Sequence, residues 1–208
     1  MNDAASILES AIADVGYWRW WCEALPAFFQ VEFGGAQLWT PPTATGRPPP
    51  GIVGLRFKDP TVVAFLTDLS AVDLEPNWRL ALREDQIEPF SLTNDEFTLT
   101  EATRVNGMSD GCSIEFLLGS EAEFTPKVGD TFLAFRAGPV GLIVVSAQMA
   151  VESSSGDLSS AEKIASANAA WWTYWKDYWQ HRDSDSPLPK DYACEATIPT
   201  DEFIFNEV

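Results

Sequence analysis

Two aromatic-dense segments constrain the fold of this chain more than any other feature of its sequence. The first runs from Tyr17 to Trp21 and the second from Trp171 to Trp179, and together they hold seven of the nine tryptophans. A buried aromatic side chain removes roughly 150–250 Å² from water, so each segment needs a sizeable apolar surface to pack on. The spacing within each segment indicates which kind of element presents these rings.

In the second segment, residues recur at steps of three and four, which is the spacing of one helical face. Ser159, followed three residues later by Glu162, matches a capping box, and Pro187 and Pro189 prevent a helix from continuing. The sequence therefore predicts a long helix over about residues 160–181. Its predicted apolar face consists of Ile164, Asn168, Trp171, Trp175 and Tyr178.

The same spacing in the first segment predicts an N-terminal helix over about residues 3–25. Asp3 or Ser6 can cap its start, and Pro26 stops it. We expect both helices to pack on a sheet. The alternative is that one helix face stays partly open for a partner or ligand. The residues that define the N-terminal face are Leu8, Ala11, Val15, Trp18, Cys22 and Leu25.

The region between the helices, about residues 28–152, alternates polar and apolar residues with the period of two that is typical of strands. This order predicts a single α+β domain, with a mostly antiparallel sheet and the Trp-rich helix packed on it. A short strand over about 203–205 is expected in the acidic C-terminal tail. The predicted strands are 52–58, 62–67 (which also fits a helix), 78–83, 97–104, 113–118, 131–136 and 142–152.

A hairpin is also predicted, in which Gly34 and Gly35 form a two-residue turn between residues 29–33 and 36–39. In that register Phe29, Val31, Phe33, Ala36 and Leu38 share the core face. The opposite face then carries two amides, a carboxylate and an indole, which is the chemistry of a sugar-binding or protein-binding patch. The predicted binding residues are Gln30, Glu32, Gln37 and Trp39.

Charge narrows the choice of partners. With 13 basic and 31 acidic residues the net charge is −18, which disfavours nucleic acid and anionic membrane surfaces. The longest apolar run, from Pro139 to Val145, has the length of a strand and is too short to span a bilayer. Three widely separated cysteines indicate reduced thiols and a cytoplasmic location. An acidic surface can instead steer a basic protein partner towards the chain.

Motifs for catalysis, metals and cofactors are weak or missing in the sequence. The one histidine, His181, falls at the predicted end of the second helix, so a triad or metal role for it is not expected. We expect no catalytic residue, no metal site and no cofactor. A hydrolase needs only two suitably spaced carboxylates, so that class stays open. Its candidate acids are Glu32, Asp85, Glu88, Glu115 and Asp130.

These observations favour a non-catalytic, acidic cytosolic binding protein that engages a basic protein partner, in the manner of an inhibitor or immunity protein. The first alternative is a carboxylate-dependent hydrolase that acts on a sugar or another neutral substrate. The second alternative is a structural subunit that buries an open tryptophan face in an assembly.

Overall fold

The computed structural model describes residues 4–12, 17–23, 25–38, 51–67, 87–94, 98–105, 112–124, 127, 129–152 and 158–184. Over these residues the chain is an α+β protein, as the sequence predicted. The helices are α1 (Ala4–Ile12), α2 (Leu99–Val105) and α3 (Ala161–Asp183), with a 3₁₀ turn at Glu121–Glu123. The strands are β1 (Tyr17–Glu23), β2 (Phe28–Gly34), β3 (Ile52–Thr67), β4 (Ile87–Thr93), β5 (Ser113–Leu118), β6 (Thr131–Ala137), β7 (Val140–Glu152) and β8 (Leu158–Ser159).

The eight described strands form one antiparallel sheet in the order β1-β2-β3-β7-β6-β4. Strand β5 pairs with β3, and β8 pairs with β7. At 16 residues β3 is long enough to have different neighbours along its length. Its first half pairs with β2, its second half pairs with β5, and β7 runs beside both halves. The predicted mostly antiparallel sheet is confirmed.

Two hydrophobic clusters lie on opposite faces of this sheet. The main core, against which α1 and α3 pack, takes alternate residues of β2, β3, β6 and β7. The second core takes the intervening residues of β3, β6 and β7 and is joined by Ala102 of α2. Because successive strand residues point to opposite faces, both cores follow directly from the apolar run in these strands. The second core consists of Val62, Ala64, Leu66, Ala102, Phe132, Ala134, Ile143 and Val145.

The predicted helix over residues 3–25 is confirmed over Ala4–Ile12 and is wrong over Tyr17–Glu23. Helix α1 ends at Ile12, and the aromatic segment that follows is strand β1, paired with β2 along its full length. Trp18 and Cys22 of β1 pack on the main core. Arg19, which lies between them in the strand, forms a salt bridge with Glu32 on the other side of the sheet. Aromatic side chains fit a pleated, half-buried surface well, and here this preference prevails over the helical spacing.

The predicted strand over residues 97–104 is also wrong, because α2 occupies Leu99–Val105. Thr98 Oγ1 accepts a hydrogen bond from the Glu101 backbone N–H at 3.2 Å. The Glu101 carboxylate accepts in return from the Thr98 backbone N–H at 2.8 Å and from its hydroxyl at 2.7 Å. This reciprocal capping box starts the helix, and it outweighs the alternating pattern. The backbone hydrogen bond from Thr98 lowers the pKa of Glu101, with its hydroxyl as the second cause.

Two predicted strands, 52–58 and 62–67, are one continuous strand in the structure. Asp59 has a φ of 47° where they meet, and the register with β7 shifts between Pro60 and Val62. The Ser146 hydroxyl donates to the Lys58 carbonyl at 2.6 Å, which satisfies the backbone beside this bulge. The predicted strands 113–118, 131–136 and 142–152 are confirmed as β5, β6 and β7. The predicted strands at 78–83 and 203–205 lie outside the described residues.

The long Trp-rich helix is confirmed as α3. The predicted cap at Ser159 is wrong by one residue, because Ser159 belongs to β8 and Ser160 precedes the helix. The Ser160 hydroxyl accepts a hydrogen bond from the Lys163 backbone N–H at 3.4 Å, and its hydrogen bond to Glu162 lowers the pKa of that carboxyl. Ile164 contributes to the main core, and Asn168 bonds to Ser10 of α1. In the part of the chain that the structure describes, no helix combines the length and the apolar character needed to cross a membrane.

Candidate binding face on the sheet

One end of the sheet has a face that neither core covers. Strands β1, β2, the first half of β3 and the end of β7 direct alternate residues into the main core, and the intervening residues form the opposite side. We call this side the polar face. Its residues are Arg19, Trp21, Phe28, Gln30, Glu32, Gly54, Arg56, Lys58, Gln148, Ala150 and Glu152.

Arg56 of β3 lies at the centre of the polar face and is held by three neighbours. Its Nε donates to Gln30 Oε1 at 3.0 Å, and its Nη1 lies 3.2 Å from Glu152 Oε1. Gln30 Nε2 donates to the other carboxylate oxygen of Glu152 at 2.8 Å. The guanidinium lies over the Phe28 ring, 4.8 Å from its centroid. Three side chains, two from β2 and one from β7, therefore fix one guanidinium in position.

A second arginine is held in a similar way beside the first. Arg19 Nε donates to Glu32 Oε2 at 2.6 Å across the β1–β2 pair, and its guanidinium lies 5.8 Å from the centroid of the Trp21 ring. Trp21 is the register partner of Gln30, so the two arginine clusters are adjacent on the sheet. The combination of an arginine with a carboxylate and an aromatic ring is thus repeated.

Gly54 allows the side chains around Arg56 to come together. It is the register partner of Glu32 on one side and of Glu152 on the other. A Cβ at this position would lie 3.2 Å from Gln30 Nε2 and 3.3 Å from the Glu152 Cβ. The missing side chain therefore leaves the space through which the Gln30 amide reaches the Glu152 carboxylate.

The charges of the polar face are arranged with acids beneath and cations above. The side chains of Arg19 and Arg56 are 60% and 42% exposed, whereas those of Glu32 and Glu152 are 14% and 10% exposed. Lys58, two residues beyond Arg56 on β3, is also exposed. The carboxylates thus orient the guanidiniums, and solvent meets mainly the cations.

The structure brings together two of the four predicted binding residues. Gln30 and Glu32 lie on the polar face, opposite the core residues of β2. The predicted hairpin is wrong, because β2 is paired by β1 and β3, and Gln37 lies beyond the end of β2. Its backbone N–H donates to the Ala11 carbonyl, and its carbonyl accepts from Asn168 Nδ2. Trp39 lies outside the described residues.

Five important residues of the face were missed from the sequence, although a signal was present for several. The alternation of Gly54, Arg56 and Lys58 with buried apolar residues marks one polar side of β3. Reading the first aromatic segment with a period of two would likewise have placed Arg19 and Trp21 on one side. The pairing partner Glu152, by contrast, is distant in sequence and had no local signal. The missed residues are Arg19, Trp21, Phe28, Arg56 and Glu152.

The carboxylates considered for a hydrolase are dispersed. Glu115 lies exposed on β5, and Asp130 accepts from the Lys127 backbone N–H in the turn before β6. The side chain of Glu88 and all of Asp85 lie outside the described part of the structure. Glu32 and Glu152 lie on either side of Gly54. One carboxylate oxygen of Glu152 accepts a hydrogen bond from Gln30, and the other forms the ion pair with Arg56. Among the described residues, no three potential metal ligands form a group.

Helix α3 presents a second surface, made of aromatic rings. Trp175 contacts Trp171, Tyr174 and Trp179, with ring centroids 5.7, 5.4 and 6.5 Å apart. Trp172 is 51% exposed and Trp179 is 45% exposed, whereas Tyr174 is buried. The predicted packing of this helix on the core thus holds for its first half, and its second half exposes two tryptophans.

Three comparisons complete the description of the chain. No family model matches it, no curated protein matches it, and no solved structure matches it.

Proposed function

We propose that this chain is a non-catalytic, acidic binding protein that engages a basic protein partner, with the polar face as its contact surface. The observation that carries the proposal is the fixed position of Arg56. Its guanidinium is held by Gln30, Glu152 and Phe28, and yet the Arg56 side chain as a whole is 42% exposed. Arginine and tryptophan are the residue types that most often dominate the energy of protein interfaces.

Preorganisation is the reason that this network supports binding. A free arginine side chain loses about 2 kcal/mol of rotamer entropy when a partner immobilises it. Here much of that loss has already occurred on folding, so more of the contact energy is available to a partner. Stability alone does not explain the network, because the Arg56 side chain is 42% exposed and an ion pair that solvent reaches contributes little to folding.

The overall charge supports a basic partner. The net charge is −18, and the polar face contributes little to it, because the cations there offset the acids beneath them. The surplus acids elsewhere in the chain produce a negative field that accelerates encounter with a positively charged protein. Attraction of this kind weakens as salt screens it.

The test is affinity capture from the native lysate with three baits: the wild-type chain, Arg56→Ala and Lys163→Ala. Lys163 is exposed on α3, so its removal changes the net charge equally without touching the polar face. We expect a basic protein that is retained by the wild type and Lys163→Ala, lost with Arg56→Ala and released by high salt. A partner retained equally by all three baits, or retained at high salt, would contradict the proposal.

A second candidate is an assembly subunit that buries the exposed Trp172 and Trp179 of α3. Large exposed apolar side chains close together favour an interface. The net charge opposes self-association at low salt, so assembly of identical chains should increase as salt is added. Light scattering of the wild type and of Trp172→Ser/Trp179→Ser across a salt series tests this. A monomer at every salt concentration would remove the candidate.

A further inference from the structure

We propose that Arg56 and Lys58 bind an aspartate or glutamate carboxylate on the basic partner. This inference rests on the proposed function and specifies the chemistry of its contact. The partner would thus be positively charged overall and would place a negative group at the centre of the interface.

The donors of Arg56 are the first basis for this inference. Its inward contacts use Nε and Nη1, and within the described residues Nη2 donates to none. A guanidinium has five N–H donors in a fixed plane, and its best-matched acceptor is a carboxylate. The Arg56 side chain is 42% exposed, so its guanidinium can present directional donors to an incoming acceptor.

Lys58 is the second basis. It lies two residues beyond Arg56 on the same side of β3, so the two Cα atoms are about 7 Å apart. Its register partners are Phe28 on β2 and Gln148 on β7, and its side chain is exposed. One carboxylate can therefore meet both cations, each through one oxygen. The Phe28 ring beneath Arg56 removes water from one side of the contact, which strengthens it.

The remaining features of the site argue against other ligands. A small free anion is repelled by the net charge of −18 and would need to cross that field unaided. A sugar would seek an open aromatic ring, but Phe28 and Trp21 each face a guanidinium. A carboxylate carried by a positively charged protein satisfies both the long-range field and the local donors.

Two blocked pentapeptides provide the test. One has a central glutamate flanked by two lysines on each side, and the other has glutamine in its place. Both are titrated at low ionic strength into the ¹⁵N-labelled full chain, and binding is followed by amide chemical shifts. We expect the glutamate peptide to bind roughly tenfold more tightly than the glutamine peptide, as a charge-assisted contact predicts. The largest shifts should fall on the first half of β3.

Variants show whether the preference belongs to these residues. Lys58→Gln should reduce the preference for the glutamate peptide, and Arg56→Gln should abolish it, so that both peptides bind about equally. The control Lys163→Gln should keep the wild-type preference. Each variant makes the chain more acidic, which by itself would tighten the binding of both basic peptides. A selective loss of the preference is therefore not a general charge effect. The transition temperature of each variant establishes that it is folded. Lys58 is exposed, so its variant should remain folded even if Arg56→Gln does not.

The outcomes separate this inference from the proposed function. If both peptides bind the wild type equally at the polar face, the carboxylate contact is wrong and attraction to basic ligands stands. If the preference survives in Arg56→Gln and Lys58→Gln, the carboxylate binds elsewhere and the inference is also wrong. If neither peptide shifts the polar face, both the inference and the proposed contact surface fail.

Discussion

Both halves of β3 are paired antiparallel on two sides, the first with β2 and β7 and the second with β5 and β7, but their side chains have different surroundings. In the second half both sides are apolar: Val63 contributes to the main core, and Val62, Ala64 and Leu66 contribute to the second core. In the first half, Ile52–Lys58, only one side is apolar. Its other side carries Arg56 in a network with Gln30 and Glu152. One continuous strand therefore changes from a structural element to a surface built of fixed polar groups.

The bulge marks where this change occurs. Asp59 adopts a positive φ, and the register with β7 shifts between Pro60 and Val62. After the bulge, Ala102 of α2 packs with the second half of β3 in the second core. Before the bulge, among the described residues, neither hydrophobic cluster places a helix over the polar face. Nothing in the antiparallel pairing requires the first half to be polar, because β7 accompanies both halves. The polar side is thus a property of the side chains, and this is the side for which we propose a binding role.

The largest expected effect on stability is in the second half of β3, which is apolar on both sides. Leu66→Ala should lower the free energy of unfolding by about 3 kcal/mol, because it leaves a cavity in the second core. Leu66 is 0% exposed there. Urea denaturation measures the change. The matched control in the first half of β3 is Lys58→Ala, which should change stability by less than about 0.5 kcal/mol. Equal effects of the two substitutions would contradict the distinction between the halves.

The next largest effect on stability comes from breaking the side-chain network around Arg56, in the first half of β3. Glu152→Leu removes the carboxylate that Gln30 and Arg56 share, and it should lower the free energy of unfolding by about 2 kcal/mol. Most of this loss would come from Gln30, which is 1% exposed and would lose its acceptor. Gln148→Leu, at an exposed position of the same strand and face, is the control. If both variants lose equally little, the network does not hold Gln30.

A smaller effect concerns pH and the helix that supplies Ala102. The hydrogen bonds from Thr98 lower the pKa of Glu101 in the folded chain. Its contribution to stability is therefore present above the pKa of an unfolded glutamate and is lost as the pH falls through the folded-state pKa. Urea denaturation of the wild type and Glu101→Gln between neutral and acidic pH should give curves that converge on acidification. A difference between the two that is constant with pH would contradict this.

Some parts of this fold were accessible from the sequence because their signals are local. The α3 helix has a buried stripe through Ile164 and Asn168, as its spacing predicted, and its cap lies one residue beyond the predicted Ser159. The strands from Ser113 to Glu152 were also predicted, β5 from its alternation and the strongly apolar β7 as the longest strand. The acidic surplus was evident from composition alone.

Other parts depended on competition between patterns that only tertiary contacts decide. The residues from Tyr17 to Glu23 fit both a helix and a strand, and pairing with β2 selected the strand. That pairing also displaced the predicted hairpin, since β2 has only two edges. Two of the predicted binding residues, Gln30 and Glu32, lie on the polar face. Glu152, which accepts a hydrogen bond from Gln30, is 122 residues away in sequence. No pattern within one segment contains that contact.

The variant with the smallest expected change in stability tests the comparison between the two halves of β3 most directly. In the triple variant Gln30→Leu, Arg56→Met and Glu152→Leu, all three members of the network are removed together, so no buried polar group loses its partner. The free energy of unfolding should stay within about 1 kcal/mol of the wild-type value, because an ion pair with a partly exposed arginine contributes little by itself. Capture of the basic partner should nevertheless be lost, because the fixed guanidinium is gone.

Urea denaturation and the capture assay, applied to the same triple variant, separate the two roles. A loss near the 3 kcal/mol expected for Leu66→Ala would mean that the network stabilises the first half of β3 as the second core stabilises the second half. The two halves would then be equivalent solutions to the same packing problem. Retained stability with lost capture would instead mean that the polar side of the first half serves the partner, because folding alone does not need it.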